Sequence, residues 1–291
     1  MTLAKAAAKS GAEPVRESKP NWDQQGAPRS EAGVNHAWYE AKIAHLLIDL
    51  DGTLVDFREM ATRAEFVSRS LRGLRRELPE LGWLSTLRAL RAIKAELRIP
   101  AGKSRFPEAT NSERAALVFS RSLGIAPARA REVLDRTMES VFSKLGRHFF
   151  PIPGAREFVD WAHSRLPVTL ATNPVWPLEL VHSRVRWGGI DPARFCSVTH
   201  SGVMHACKPT RQYYLETLRL ASGEAEPKAA AFLHVGNELV NDLPATRIGV
   251  PVFIVSKESR FKLIQRPKGG LAPAWTGSFS DLRSFLADRL P

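Results

Sequence analysis

Asp49 and Asp51 stand two residues apart at the end of the apolar run Leu46-Leu47-Ile48, followed by Gly52, Thr53 and Leu54. On an extended chain, alternate residues lie on one side, so the two carboxylates would project together from a strand tip. A bound cation would relieve their repulsion. Asp-Gly is also ordinary turn chemistry, so this stretch alone is compatible with a solvated turn after a core strand. Three later groups suit the same chemistry. Thr172 and Asn173 end another apolar run and can donate hydrogen bonds to phosphate oxygens without adding charge. Lys208, just before Pro209, offers an ammonium that would neutralise phosphate. Asn237, Glu238 and Asp242 follow a third run, Phe232-Leu233-His234-Val235-Gly236, and offer oxygens to a hard cation. Each has a plain alternative: a turn opener, a surface lysine, and a helix start capped by Asn and acids.

These groups need elements that bring them together. Short apolar runs at 44–50, 167–171, 195–200, 231–236 and 251–255 alternate with helical patterns. That alternation predicts an α/β fold with a doubly wound, parallel, five-stranded sheet, whose ligands bind beyond the carboxyl ends of the strands. Between the first and second runs, Met60, Ala64, Val67, Leu71, Leu74 and Leu78 recur at steps of four and three, the stripe of an amphipathic helix. A second helix is expected over 83–97, a third from the capping box Thr110-Asn111-Ser112-Glu113, and a fourth over 127–142. Pro151-Ile152-Pro153-Gly154 then breaks the pattern. The expected organisation is a disordered leader at 1–37, a core domain at 38–56 and 149–291, and a helical cap inserted at 57–148.

Composition narrows the class. The chain has 291 residues, 44% of them hydrophobic, enough for a sizeable core. Its two cysteines, Cys196 and Cys207, make neither a Cys-x-x-Cys pair nor a zinc framework, which suits a reducing cytoplasm. No stretch is long and apolar enough for a membrane helix or a secretory signal, and Glu13, Glu17, Asp23 and Glu31 dilute the charge of any transit peptide. The net charge is +12, and residues 57–148 carry 19 basic against 10 acidic side chains. Such a surface would suit a polyanion, but no aromatic interleaving or nucleic-acid motif accompanies it, so a solvated arginine-rich face is the expectation.

Taken in order, the four sites resemble the motifs of the haloacid dehalogenase superfamily. The first is apolar run, Asp49, Leu50, Asp51, Gly52, Thr53; the second has Thr172 in the Ser/Thr position; the third is Lys208-Pro209 before a helix bearing Tyr213 and Tyr214. The fourth departs, with Asn237 where an aspartate is usual, Glu238 beside it and Asp242 further on. The resemblance implies a magnesium-dependent phosphohydrolase acting on a small phosphorylated metabolite, because Asp51 is the aspartate that phosphate-transferring members carry and dehalogenases lack. It implies catalytic roles for Asp49 as nucleophile, Asp51 as general acid and base, and Lys208, with Thr53 orienting Asp51. Thr172, Asn173 and Lys208 would bind phosphate. Mg2+ would be held by Asp49, the Asp51 carbonyl and Asp242, with Asn237 and Glu238 as further candidates. The long gap between the first and second motifs resembles members with a helical cap there. A phosphomutase on the same scaffold, or a polyanion-binding protein with a degraded site, are the alternatives. Substrate identity, which cap residues such as Lys103 or Arg105 would set, and oligomeric state stay open.

Overall fold

The computed structural model describes residues 42–80, 82–256, 260–266, 268 and 271–290. The expected leader lies outside them.

Each of the five apolar runs contains a strand. They are β1 (His45–Ile48), β4 (Val168–Leu170), β5 (Ser197–Val198), β6 (Phe232–Gly236) and β7 (Val252–Val255). Two short strands, β2 (Val55–Phe57) and β3 (Phe149–Pro151), pair antiparallel as a separate ribbon. The expectation of five sheet strands was too low. β8 (Lys262–Gln265) and β9 (Ala274–Gly277) extend the sheet to seven, in the order β5-β4-β1-β6-β7-β9-β8, parallel throughout except for β8. β8 is an edge strand whose residues alternate between exposed and half-buried, and β9 is the short Ala-Trp-Thr-Gly, so neither forms the branched apolar run that marks a buried strand.

Side-chain alternation covers both faces of the sheet. Leu46, Ile48, Leu233 and Val235 join one core cluster with α5 (Ala155–His163), α6 (Leu178–Trp187) and α8 (Phe279–Ala287). Leu47, Phe232, Val252 and Ile254 face the other way, onto Tyr213, Tyr214 and Leu218 of α7 (Arg211–Ser222).

Four helices lie between β2 and β3: α1 (Glu59–Glu77), α2 (Trp83–Leu97), α3 (Asn111–Leu123) and α4 (Pro127–Phe142). The capping box at Thr110 and Glu113 is formed as expected. Leu74, Leu78, Ala89, Phe119, Val133 and Leu134 make this segment's own core. The stripe expected on α1 holds only in its second half. Met60 and Val67 are exposed, while Thr62 is buried and Phe66 packs inward, because the first turns of α1 face Trp176 and Phe142 at the end of α4 rather than the core that the four helices share. Arg114 is wholly buried and donates to the carbonyls of Glu96, Ile99 and His205, so one guanidinium closes the end of α2 and joins α3 to the loop before Lys208. No helix among the described residues is long and apolar enough to cross a membrane.

Candidate active site

Register places the chemistry. Ile48 pairs with Leu170 on one side and Val235 on the other, so Asp49, Thr172 and Asn237 leave the sheet at one edge. The Asp49 N–H donates to Val235 O and the Ala171 N–H to Ile48 O, which pins all three tips. After Asp49 the chain turns sharply, with the N–H groups of Thr53, Leu54 and Val55 all donating to Leu50 O. Gly52 sits at φ +80°, and a Cβ there would lie 2.4 Å from Asn237 Nδ2, so a side chain would be strained by backbone conformation and would displace the Asn237 amide.

Lys208 is the hub. Its Nζ donates to Asp49 Oδ1 at 2.7 Å and to Asp242 Oδ1 at 2.8 Å, and all three side chains are buried. The Lys208-Pro209 peptide is cis, and the Lys208 N–H donates to Asn173 Oδ1 at 3.2 Å. Tyr213 lies under the ammonium, with its ring centroid 5.7 Å from Nζ, and its hydroxyl donates to Thr172 O at 3.1 Å. Lysine, nucleophile candidate and second strand tip thus form one packed unit. Burial pushes the Asp49 carboxyl up to about 7, with Lys208 pulling against that rise. Burial also opposes the charge of Lys208, but Asp242 and Asp49 outweigh it and hold the ammonium well above its ordinary range.

Asp242 has no oxygen to spare. Oδ1 accepts from Lys208 and from His234 Nε2 at 2.9 Å, and Oδ2 accepts from the N–H groups of Asn237 and Glu238 at 3.1 and 2.9 Å. Burial opposes its charge, yet Lys208 and His234 together hold it below the usual carboxylate range. A Cβ on Gly236 would fall 2.1 Å from Asp242 Cγ, so glycine is what lets this carboxylate tuck behind the strand tip. Glu238 is also turned elsewhere, its carboxylate accepting from the Asn241 amide.

Thr53 Oγ1 donates to Asn237 Oδ1 at 3.0 Å and to Asp49 Oδ2 at 3.4 Å, so these two oxygens share one hydroxyl at the tip of β1. Hard oxygens of this kind, completed by waters and substrate oxygens, fit Mg2+. The oxygens of Asp242 and Glu238 are engaged as described above, and no cluster of three or more acids, histidines or cysteines capable of holding a metal occurs among the described residues.

Two residues at the site escaped the sequence reading. Arg184, on α6 and buried, makes an ion pair with Asp51 through Nη1. Nothing in an arginine-rich chain distinguishes it. His234 did leave a signal, since it is the one polar side chain in the otherwise apolar run of β6. Burial lowers its pKa, leaving a neutral imidazole to serve Asp242. Lys103 and Arg105 are exposed. On the basic helical surface, Arg63, Arg69, Arg129, Arg131, Arg136 and Arg147 are each ion-paired with a nearby acid.

No family model and no curated protein sequence matches the chain. Solved structures do. A 2-haloacid dehalogenase from Pseudomonas syringae superposes with a TM-score of 0.54 at 18% identity, over 84% of this chain and 98% of that one. A HAD phosphatase from Thermococcus onnurineus gives 0.51 at 16% identity, over 85% and 100%. At such identity the likeness establishes the architecture, and the reaction has to be argued from the side chains.

Proposed function

Starting from a chain with the fold of the haloacid dehalogenase superfamily, we propose that it is a phosphohydrolase cleaving small phosphomonoesters, with Mg2+ as its cofactor and helices α1 to α4, within 57–148, as its cap. One observation carries this reading: Asp51, two residues beyond Asp49, is held by Arg184 with its carboxylate one-third exposed. Expelling a halide requires no proton, so carbon–halogen cleavage leaves a second carboxylate without an acid's role. Expelling an alkoxide does require a proton, which Asp51 beside Asp49 would supply.

In this mechanism an Asp49 oxygen attacks phosphorus, and the bond to the ester oxygen breaks with its electron pair on that oxygen, which takes a proton from Asp51. Water then gives a proton to Asp51 and attacks the aspartyl-phosphate, releasing phosphate and restoring Asp49. Lys208 faces the transferring oxygens and keeps Asp49 oriented, and the loop bearing Thr172 and Asn173 supplies uncharged donors. Asp49, the Asp51 carbonyl and Asn237 would hold Mg2+. When bound, the cation supplies positive charge that offsets repulsion between the phosphate and Asp49. Asp242 serves as the partner that fixes Lys208.

The test is phosphate release from a panel of phosphomonoesters, with Mg2+ and after chelation. Wild type is expected to release phosphate only with Mg2+, and Asp49→Asn to release none while keeping its circular dichroism spectrum. Equal release from Asp49→Asn would overturn the assignment, as would halide release from short 2-haloacids with no phosphate release from any ester.

A further inference from the structure

The side of the site that Asp51 faces contains a cavity of about 180 Å3 whose walls include Phe57, Phe66, Phe142, Phe149, Trp176 and Arg184. Its aromatic rings pack on one another. Phe66 meets Trp176 at 5.2 Å and Phe142 meets Trp176 at 4.8 Å, both edge to face. This packing explains the misread half of α1: Thr62 and Phe66 turn inward because they line this space.

Arg184 is the unusual member. Its side chain is 3% exposed, and while Nη1 is committed to Asp51, Nε and Nη2 have no hydrogen-bond partner among the described residues. Asp51 Oδ1 also lacks one. Burying polar groups without partners is costly, so two spare guanidinium nitrogens and a spare carboxylate oxygen beside a cavity mark a place built for a polar ligand atom. Their arrangement separates tasks. Oδ1 is left for the leaving oxygen, and the guanidinium beside it is left for an acceptor on the leaving group.

Resting on the phosphohydrolase reading, we propose that this cavity receives the leaving alcohol and selects phosphomonoesters of single-ring aromatic alcohols. A dry apolar cavity of about 150 Å3 accommodates a benzene ring, so this one takes a substituted ring but not a nucleoside or a disaccharide. A polyol fits the volume, but apart from Asp51, Thr62, Arg63 and Arg184 the walls are apolar, so hydroxyls beyond the reach of those four would face aromatic carbon without partners. A ring gains stacked and edge-on contacts with Phe66, Phe142 and Trp176.

Two measurements on the full chain test this. In the first, kcat/KM for phenyl phosphate is expected to exceed that for glycerol 3-phosphate and hexose 6-phosphate at least tenfold, and Phe66→Ser is expected to cut that ratio about tenfold. In the second, 4-fluorophenylphosphonate, which is not hydrolysed, is titrated by fluorine NMR. It is expected to bind wild type and to bind Phe66→Ser about tenfold more weakly. Should Phe66→Ser lower the melting temperature by more than a few degrees, Phe66→Leu, which keeps an apolar side chain and removes only the ring, carries the same comparison. Phosphate release that favours polyol esters, with probe binding unchanged in the Phe66 variant, overturns the aromatic specificity and leaves the hydrolase standing. Failure to hydrolyse any ester, with ring-dependent probe binding intact, overturns the hydrolase and supports the cavity.

Discussion

Replacing Lys208 with methionine removes the positive charge that bridges two buried carboxylates, and its effect can be worked from the contacts. Asp49 and Asp242 each lose a bond, of 2.7 and 2.8 Å respectively, and methionine fills the volume without supplying a donor. Leaving a buried ion pair without one partner costs about 3–5 kcal/mol. For a chain of this size each kcal/mol moves the melting temperature by about 2–4 °C, so Lys208→Met should melt roughly 6–20 °C below wild type. The loss should depend on pH with a definite sign. Asp49 already has its folded pKa raised to about 7 by burial, and Lys208 is the strongest influence lowering it. Without Lys208 the folded value rises further above the unfolded one, so the folded state takes up a proton more readily than the unfolded chain. Stability that depends on this proton is present at low pH and lost as pH rises through the folded pKa. The deficit should therefore be largest near pH 8.5 and shrink toward pH 5.5. Differential scanning fluorimetry of both proteins at the two pH values, in the presence of a chelator, reads this directly. A deficit under 2 °C at pH 8.5, or one that grows on acidification, would refute the buried triad.

Three other perturbations follow from the geometry. Gly52→Ala places a methyl against the Asn237 amide at positive φ, and should cost about 1–2 kcal/mol of stability from the backbone alone and most of the activity, read by urea denaturation and phosphate release. Glu65 is held down to about 2 by hydrogen bonds from His148, Arg69 and Arg147, so its contribution is present above pH about 4.5 and lost as pH falls toward 2; Glu65→Gln should flatten the acid limb of the melting curve in that window. Asn237→Asp should lower the magnesium concentration for half-maximal phosphate release, since an anionic oxygen replaces the neutral one that shares the Thr53 hydroxyl with Asp49. A magnesium titration showing no shift would remove Asn237 from the ligand set.

The parts of this molecule legible in sequence are those specified by local pattern. The runs at β1, β4, β6 and β7 must be apolar on successive residues because both faces of the sheet are covered, and so they stand out in any reading. The helices at Trp83–Leu97 and Pro127–Phe142 begin and end where their periodicity does. What escaped depends on what comes from far along the chain. β8 and β9 complete an edge and need no continuous apolar run. The half of α1 carrying Met60 and Val67 turns Phe66 inward instead, because that side meets Trp176, more than a hundred residues on. Asp242 reads as an oxygen donor by type, and only the approach of Lys208, His234 and two backbone N–H groups shows what its oxygens hold. Arg184 could not be told from its many surface counterparts until α6 was seen to bury it against Asp51.

The amino end of α3 is seated on the loops that would grip a phosphate. The Asn111 and Ser112 N–H groups donate to Met204 O and Ser201 O, and the Asn111 amide reaches Pro174 O, next to Asn173, and Ala206 O, two residues before Lys208. An outward swing of the helices would have to unfasten this seam, and in doing so would take away the brace behind Asn173 and Lys208. If such a swing admits a ligand, admission and slackening of its grip would be a single event rather than two. How often the seam parts would then bound the rate of any reaction at the site.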